Sequence, residues 1–191
     1  MNEYAIILAD MTDKYNPEEI TLVVGLGNPS EELAHTYHNV GMLSVTALVD
    51  GAAFTPASTG TFAYAKVGDV SYVQPLVFMN ESGVAVRDAL HYFNASPSQL
   101  LIIHDDADIP VGQYRLQFGR GEAGHHGVAS VTKQIHTSEF WRLRIGIEQR
   151  VPILGTRRKA ETFVLKPISR AHKAAFSQLF EEFRTLLAHA V

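Results

Sequence analysis

Residues Thr21–Leu26 read TLVVGL, an uncharged and largely β-branched run that stops at Gly27, Asn28 and Pro29. Such a run suits a strand buried on both faces, as in parallel sheets covered by helices on either side. The glycines and the proline end it abruptly. Open α/β sheets bind ligands in the loops at the carboxyl ends of such strands, which places Asn28 on a candidate rim. His38 follows ten residues later, just ahead of a helix predicted over Val40–Val49, and returns to that rim. GLGNPS is not a dinucleotide fingerprint, because the third glycine and the later acidic residue are missing. Nor is it a phosphate loop, since no Gly-Lys-Ser/Thr follows.

The rest of the chain alternates in the same way. Strands are predicted over Thr61–Val67, Val70–Gln74, Gln99–His104, Arg115–Phe118 and Trp141–Ile147. Helices are predicted from an N-cap at Ser82 through Phe93, over Val128–Ile135, and over Ser169–His189. In the last of these, Ala175, Phe176, Leu179, Phe180, Phe183, Leu186 and Leu187 recur at helical spacing and make one core face. The order implies an α/β fold, a single mixed and mostly parallel sheet sandwiched by helices. With 191 residues and 46% hydrophobic content, one sizeable core is expected. Residues 1–19 stand apart as an extension of unassigned role: Tyr4–Ala9 is apolar, suiting an added strand or a remnant of expression, whereas Asp10–Glu19 is polar and contains Pro17. Residues 20–191 form the domain.

No apolar run approaches the roughly 20 residues of a membrane helix, and the first residues lack a basic start and a small-residue cleavage site. A soluble, cytoplasmic protein is expected. The chain has no cysteine, which excludes disulfides, thiolate zinc sites and a cysteine nucleophile. The net charge of −4 is unevenly spread. Residues 1–110 hold three Lys/Arg against 14 Asp/Glu, while residues 111–170 hold eleven against four. A basic half on an acidic protein suits a polyanion, although charge runs more often only solvate a surface.

The predicted strand ends supply the chemistry: Asn28, His38, Met79, Asn80, Asp105, Asp106, Asp108, His125 and His126. A histidine with a carboxylate partner is the minimal set for activating a nucleophile, and His38 with Asp105 is the pair chosen here. No Gly-x-Ser-x-Gly elbow is present, so water is the expected nucleophile. His91, His136, His172 and His189 are read as hydrogen-bonded structural residues. The cluster His104, Asp105, Asp106 and Asp108 invites a metal reading, but neighbours on an extended segment point oppositely and the EF-hand spacing is absent. Neither a metal nor another cofactor is assigned, and Asp106 and Asp108 are read as turn residues ahead of Pro110.

Five stretches, VVGLGNPSEELAHTYHNVG, FMNESGVAV, IIHDDADIPVGQYRL, GHHGVASV and FWRLRIGI, resemble in order the motifs of bacterial peptidyl-tRNA hydrolases. The resemblance implies metal-free hydrolysis of the ester joining a peptide to the terminal ribose of tRNA; a monomer is expected. It implies His38 as general base on water, Asp105 as its acidic partner and Asn28 as the residue that tells peptidyl from aminoacyl substrate. By the same resemblance, Phe78, Met79 and Asn80 line the pocket for the terminal nucleotide and peptide backbone, and Asn80 faces the developing oxyanion. His125 belongs to the substrate shell, Arg144 to a phosphate-contacting surface, and TFVLKPISRAH to a lid. Four positions depart from the family pattern. Leu33 replaces a tyrosine beside the catalytic histidine, Tyr37 an arginine, His126 an asparagine and Gln117 a basic residue. Leu33 and His126 thus sit in the substrate shell with altered chemistry. The alternative class is a non-catalytic RNA-binding relative of the same fold.

Overall fold

The computed structural model describes residues 16, 19–119, 121–122, 124–148 and 160–187. The segments 1–15 and 149–159, and with them Arg150, Arg157, Arg158 and Lys159, lie outside these, as do Arg120 and His189. Seven strands, β1 (Leu22–Gly25), β2 (Thr55–Pro56), β3 (Phe62–Val67), β4 (Val70–Pro75), β5 (Leu100–Pro110), β6 (Tyr114–Phe118) and β7 (Trp141–Glu148), form one sheet in the order β2-β3-β4-β1-β5-β7-β6. The central strands β4, β1, β5 and β7 run parallel, while β2, β3 and β6 join by antiparallel pairing at the flanks. The sheet is therefore mixed and parallel at its centre, as the alternating pattern implied.

Four helices cover it: α1 (Val40–Leu48), α2 (Ser82–Phe93), α3 (His126–Ile135) and α4 (Arg170–Leu187). Strand side chains alternate between two cores. Val23, Leu101, Ile103, Leu143, Ile145 and Ile147 pack with Val40, Val45, Phe176, Leu179 and Phe183 of α1 and α4. Leu22, Val24, Leu100 and Ile102 pack with Val86, Leu90, Val128 and Val131 of α2 and α3 on the other face. No helix among the described residues is long and apolar enough to cross a membrane.

Three details differ from the expectation. β5 does not stop at His104 but continues through the acidic stretch to Pro110, with an irregularity in its pairing to β7 between Asp106 and Pro110. Parallel pairing to β7 recruits Asp105 and Asp106 into the ladder in spite of their poor strand propensity. Ser82 is not the cap of α2. A 3-10 turn over Met79–Glu81 runs directly into the helix, and the buried Ser82 hydroxyl donates back to the Met79 carbonyl at 2.9 Å. The short edge strand β2 carries too little pattern over two residues to be foreseen.

The junction below the rim depends on glycine. A Cβ on Gly25 would lie 2.2 Å from the Gly41 carbonyl oxygen, and one on Gly41 would lie 2.3 Å from that of Ile103. The start of α1 therefore sits directly against the backbones of β1 and β5, which brings the preceding residue pair His38-Asn39 over the strand ends.

Candidate active site

Asp105 projects from the middle of β5 and is 3% exposed. Its Oδ1 lies 2.9 Å from Nδ1 of His38 and 2.9 Å from Nε2 of His125. His38 comes from a 3-10 turn over Tyr37–Asn39 at the head of α1, and its backbone N–H donates to the Val164 carbonyl at 2.8 Å. His125 caps α3, its Nδ1 accepting the Val128 N–H at 3.2 Å. That contact settles the tautomer of neutral His125: the proton is on Nε2 and is donated to Asp105. A neutral His38 must likewise carry its proton on Nδ1 to meet the carboxylate. Its Nε2 is left with a lone pair and no hydrogen-bond partner among the described residues.

The charges reinforce this arrangement. Burial opposes the ionised form of Asp105, yet the neighbouring His125 and His38, acting by charge and hydrogen bond, hold the carboxyl well below the usual carboxylate range. Burial lowers the pKa of His38, but the Asp105 charge and hydrogen bond outweigh it, and the net shift is upward. Behind them, His104 is fully buried and held neutral by desolvation, its Nδ1 donating to the Asp105 carbonyl at 2.7 Å.

Asn28 stands at the same rim, 6% exposed. Its backbone N–H donates to Oδ1 of Asn39 and its carbonyl accepts from Nδ2 of Asn39, both at 2.9 Å. Its own Oδ1 accepts the Met79 N–H at 2.9 Å. With that oxygen occupied, the carboxamide offers its NH2 as donor. Asn39 is a site residue to which the motif reading gave no role. The available signal was an asparagine between His38 and the apolar start of α1, since a buried amide demands partners.

Other expected residues occupy varied places. Met79 is buried against the site, whereas Phe78 is 53% exposed and Asn80 is also exposed on the rim. Leu33 lies half-buried in a separate 3-10 turn, Glu31–Leu33, where it offers only apolar surface. His126, the first residue of α3, is exposed, and the histidine that reaches His38 is its neighbour His125, with ring centroids 5.0 Å apart. Helix geometry explains this: the capping residue folds back over the first turn while the next projects outward.

The acidic pair diverges as alternation requires. Asp106 faces away from Asp105 and takes Arg144, with Nε at 2.7 Å and Nη2 at 2.6 Å from one oxygen. It also accepts the Asp108 N–H at 2.8 Å, a local hydrogen bond as expected, but both residues lie within strand β5 and not in the turn read for them. Gln117 bonds the remaining arm of Arg144. Neighbouring Arg142 is almost fully buried, and burial together with the Arg144 charge pulls its pKa down to about 10. Counting charges in residues 111–170 therefore overstates the exposed basic surface, although Lys133, Lys166 and Arg170 are exposed.

Asp105 and Asp106 cannot serve one ion from opposite faces. His38, Asp105 and His125 do place ligand atoms within 4.8 Å of one another. An ion there would have to displace both protons that now bridge the imidazoles to the carboxylate, so the contacts as built are those of a hydrogen-bonded relay.

An imidazole over the strand ends, oriented by a buried carboxylate and with no partner at its far nitrogen among the described residues, can act as a general base in hydrolysis. No serine or threonine hydroxyl is bonded to His38 among the described residues. The model of the peptidyl-tRNA hydrolase family matches residues 22–191. A peptidyl-tRNA hydrolase of Azoarcus sp. (strain BH72) is 37% identical over 161 residues, covering 82% of this chain and 72% of the relative. One from Coxiella burnetii is 35% identical over 174 residues, covering 90% and 91%. The crystal structure of the Acinetobacter baumannii peptidyl-tRNA hydrolase superposes with a TM-score of 0.77 at 28% identity, covering 90% of this chain and 88% of that one. The chain belongs to the peptidyl-tRNA hydrolase family.

Proposed function

We propose that this protein hydrolyses the ester between peptide and the 3′ ribose of peptidyl-tRNA, returning tRNA to translation, with His38 as the base. The observation that carries the proposal is the His38–Asp105 contact of 2.9 Å, which leaves Nε2 of His38 without a partner among the described residues. A water held on Nε2 gives up its proton there as its oxygen bonds the ester carbonyl carbon, and negative charge develops on the carbonyl oxygen. The imidazolium formed is stabilised by Asp105. Collapse breaks the bond to the ribose oxygen, which takes the proton back from Nε2, leaving free tRNA and a peptide carboxylic acid that releases its proton to solvent. Asn80, exposed on the rim, is assigned to the developing oxyanion, an interaction worth roughly 3 kcal/mol in other enzymes.

Asn28 donates from its NH2 to the peptide backbone of the substrate, selecting peptidyl over aminoacyl esters. His125 positions Asp105, and Phe78 offers an exposed ring for stacking a terminal base. Leu33 and His126 border the substrate, and Arg144 contacts phosphate with the guanidinium N–H groups that Asp106 and Gln117 leave unused. The protein acts in the cytoplasm as a monomer on peptidyl-tRNA, through residues 20–191, with residues 1–19 as an extension. No observation favours the non-catalytic RNA-binding alternative.

Turnover of N-blocked aminoacyl-tRNA, measured with and without EDTA, tests this reading. Hydrolysis that persists in chelator and spares unblocked aminoacyl-tRNA is expected. A protein that binds the substrate without releasing tRNA, or that needs a divalent ion restored, refutes it.

A further inference from the structure

Tyr37, beside the base, points away from the cleft. Its ring is 3% exposed and meets Phe163, His172 and Phe176 edge-on, at centroid distances of 5.9, 5.7 and 6.3 Å. Its hydroxyl lies 2.7 Å from Nδ1 of His172 and accepts the Ser169 N–H at 3.3 Å. Burial lowers the pKa of His172, favouring the neutral ring that accepts from the phenol. Ser169 in turn accepts the His172 N–H on its Oγ at 3.2 Å. One phenol thus meets both an otherwise unpaired N–H at the start of α4 and a side chain of its first turn.

The same stretch pairs with the segment ahead of α4 through its backbone. Ile168 N–H donates to His35, Tyr37 N–H to Lys166 and His38 N–H to Val164, at 2.9, 3.3 and 2.8 Å, and Thr36 bridges Pro167. The backbone of His38 is therefore held by a segment whose far end is anchored at Ser169 and His172. We propose that Tyr37 is a positioning residue for His38, its hydroxyl latching the start of α4 and so fixing the 164–168 segment that holds the base.

The inference rests on the proposed use of His38 as base, and the experiment keeps the two apart. Turnover and hydrogen exchange of the His38 amide are both measured, first in the parental protein. Absent parental turnover sinks the base, whereas exchange judges the latch by itself. Tyr37→Phe removes one oxygen and keeps the packed ring. Since a displacement of about 1 Å can cost about a hundredfold in rate, a looser hold predicts kcat down about tenfold, KM within about twofold, and faster exchange at His38. His172→Leu should reproduce both effects, His172→Gln should restore them by supplying an acceptor, and Tyr37→Phe/His172→Leu should be no worse than either single variant. Parental kcat and His38 protection in Tyr37→Phe overturn the proposal, as do losses that multiply in the double variant. If Tyr37→Phe fails to fold, the pair His172→Leu and His172→Gln decides: equal kcat and equal exchange in the two overturn it.

Discussion

His38 and His125 donate to the same atom, Oδ1 of Asp105, each from 2.9 Å. One carboxylate oxygen thus orients the proposed base from one side and is itself secured from the other by a helix cap.

Replacing His38 with alanine should abolish turnover of N-blocked aminoacyl-tRNA with the fold intact. Losing a general base typically costs ~100- to 10,000-fold. Circular dichroism and single-turnover kinetics on the purified variant check this, and near-parental rates would remove His38 from the mechanism.

The acid limb of kcat/KM should report His38. Only its neutral form accepts a proton, so activity rises with pH through its pKa, which Asp105 raises above the usual histidine value despite burial. In Asp105→Asn the raising charge is gone and burial still lowers the pKa, so the midpoint should move to lower pH while the plateau falls. A midpoint that stays or rises contradicts the assigned pair.

His125→Leu should leave Asp105 buried with one donor fewer. An unsatisfied buried group costs ~1–3 kcal/mol, more when charged, so a lower melting temperature is expected near neutral pH. The Asp105 carboxyl should also titrate closer to its ordinary value. The depressed pKa supplies stability that is present above the unfolded value and lost as pH falls through the folded one. The gap between parental and variant melting temperatures should therefore narrow in acid, and a constant gap from pH 7 to acid would deny the coupling.

His126→Asn should leave the pH profile unchanged, because His126 is exposed and His125 is the histidine beside His38. An altered acid limb in this variant would give His126 a chemical role that its position does not suggest.

Arg144→Ala tests the phosphate contact. If the guanidinium touches tRNA, affinity for the full substrate should drop and the salt dependence should flatten by about one unit of log-log slope. A short ester on one terminal nucleotide should be spared. Equal damage to both substrates would assign Arg144 to its internal pairing with Asp106 and Gln117.

Periodicity and punctuation alone determined the buried strands Leu22–Gly25 and Leu100–His104, the four helices, and a rim holding Asn28, His38 and Asp105, because burial and turn chemistry are written locally in the residues. Tertiary structure decided the rest. Strand pairing carried β5 through an acidic stretch that local propensity assigns to a loop. Which of two adjacent histidines reaches Asp105 depended on the cap geometry of α3. Asn39 became the clamp of Asn28, and Tyr37 the tie to His172 from 135 positions away. Those contacts join segments far apart in the chain, and a side chain's partner across such a distance is set by packing, which no local pattern encodes.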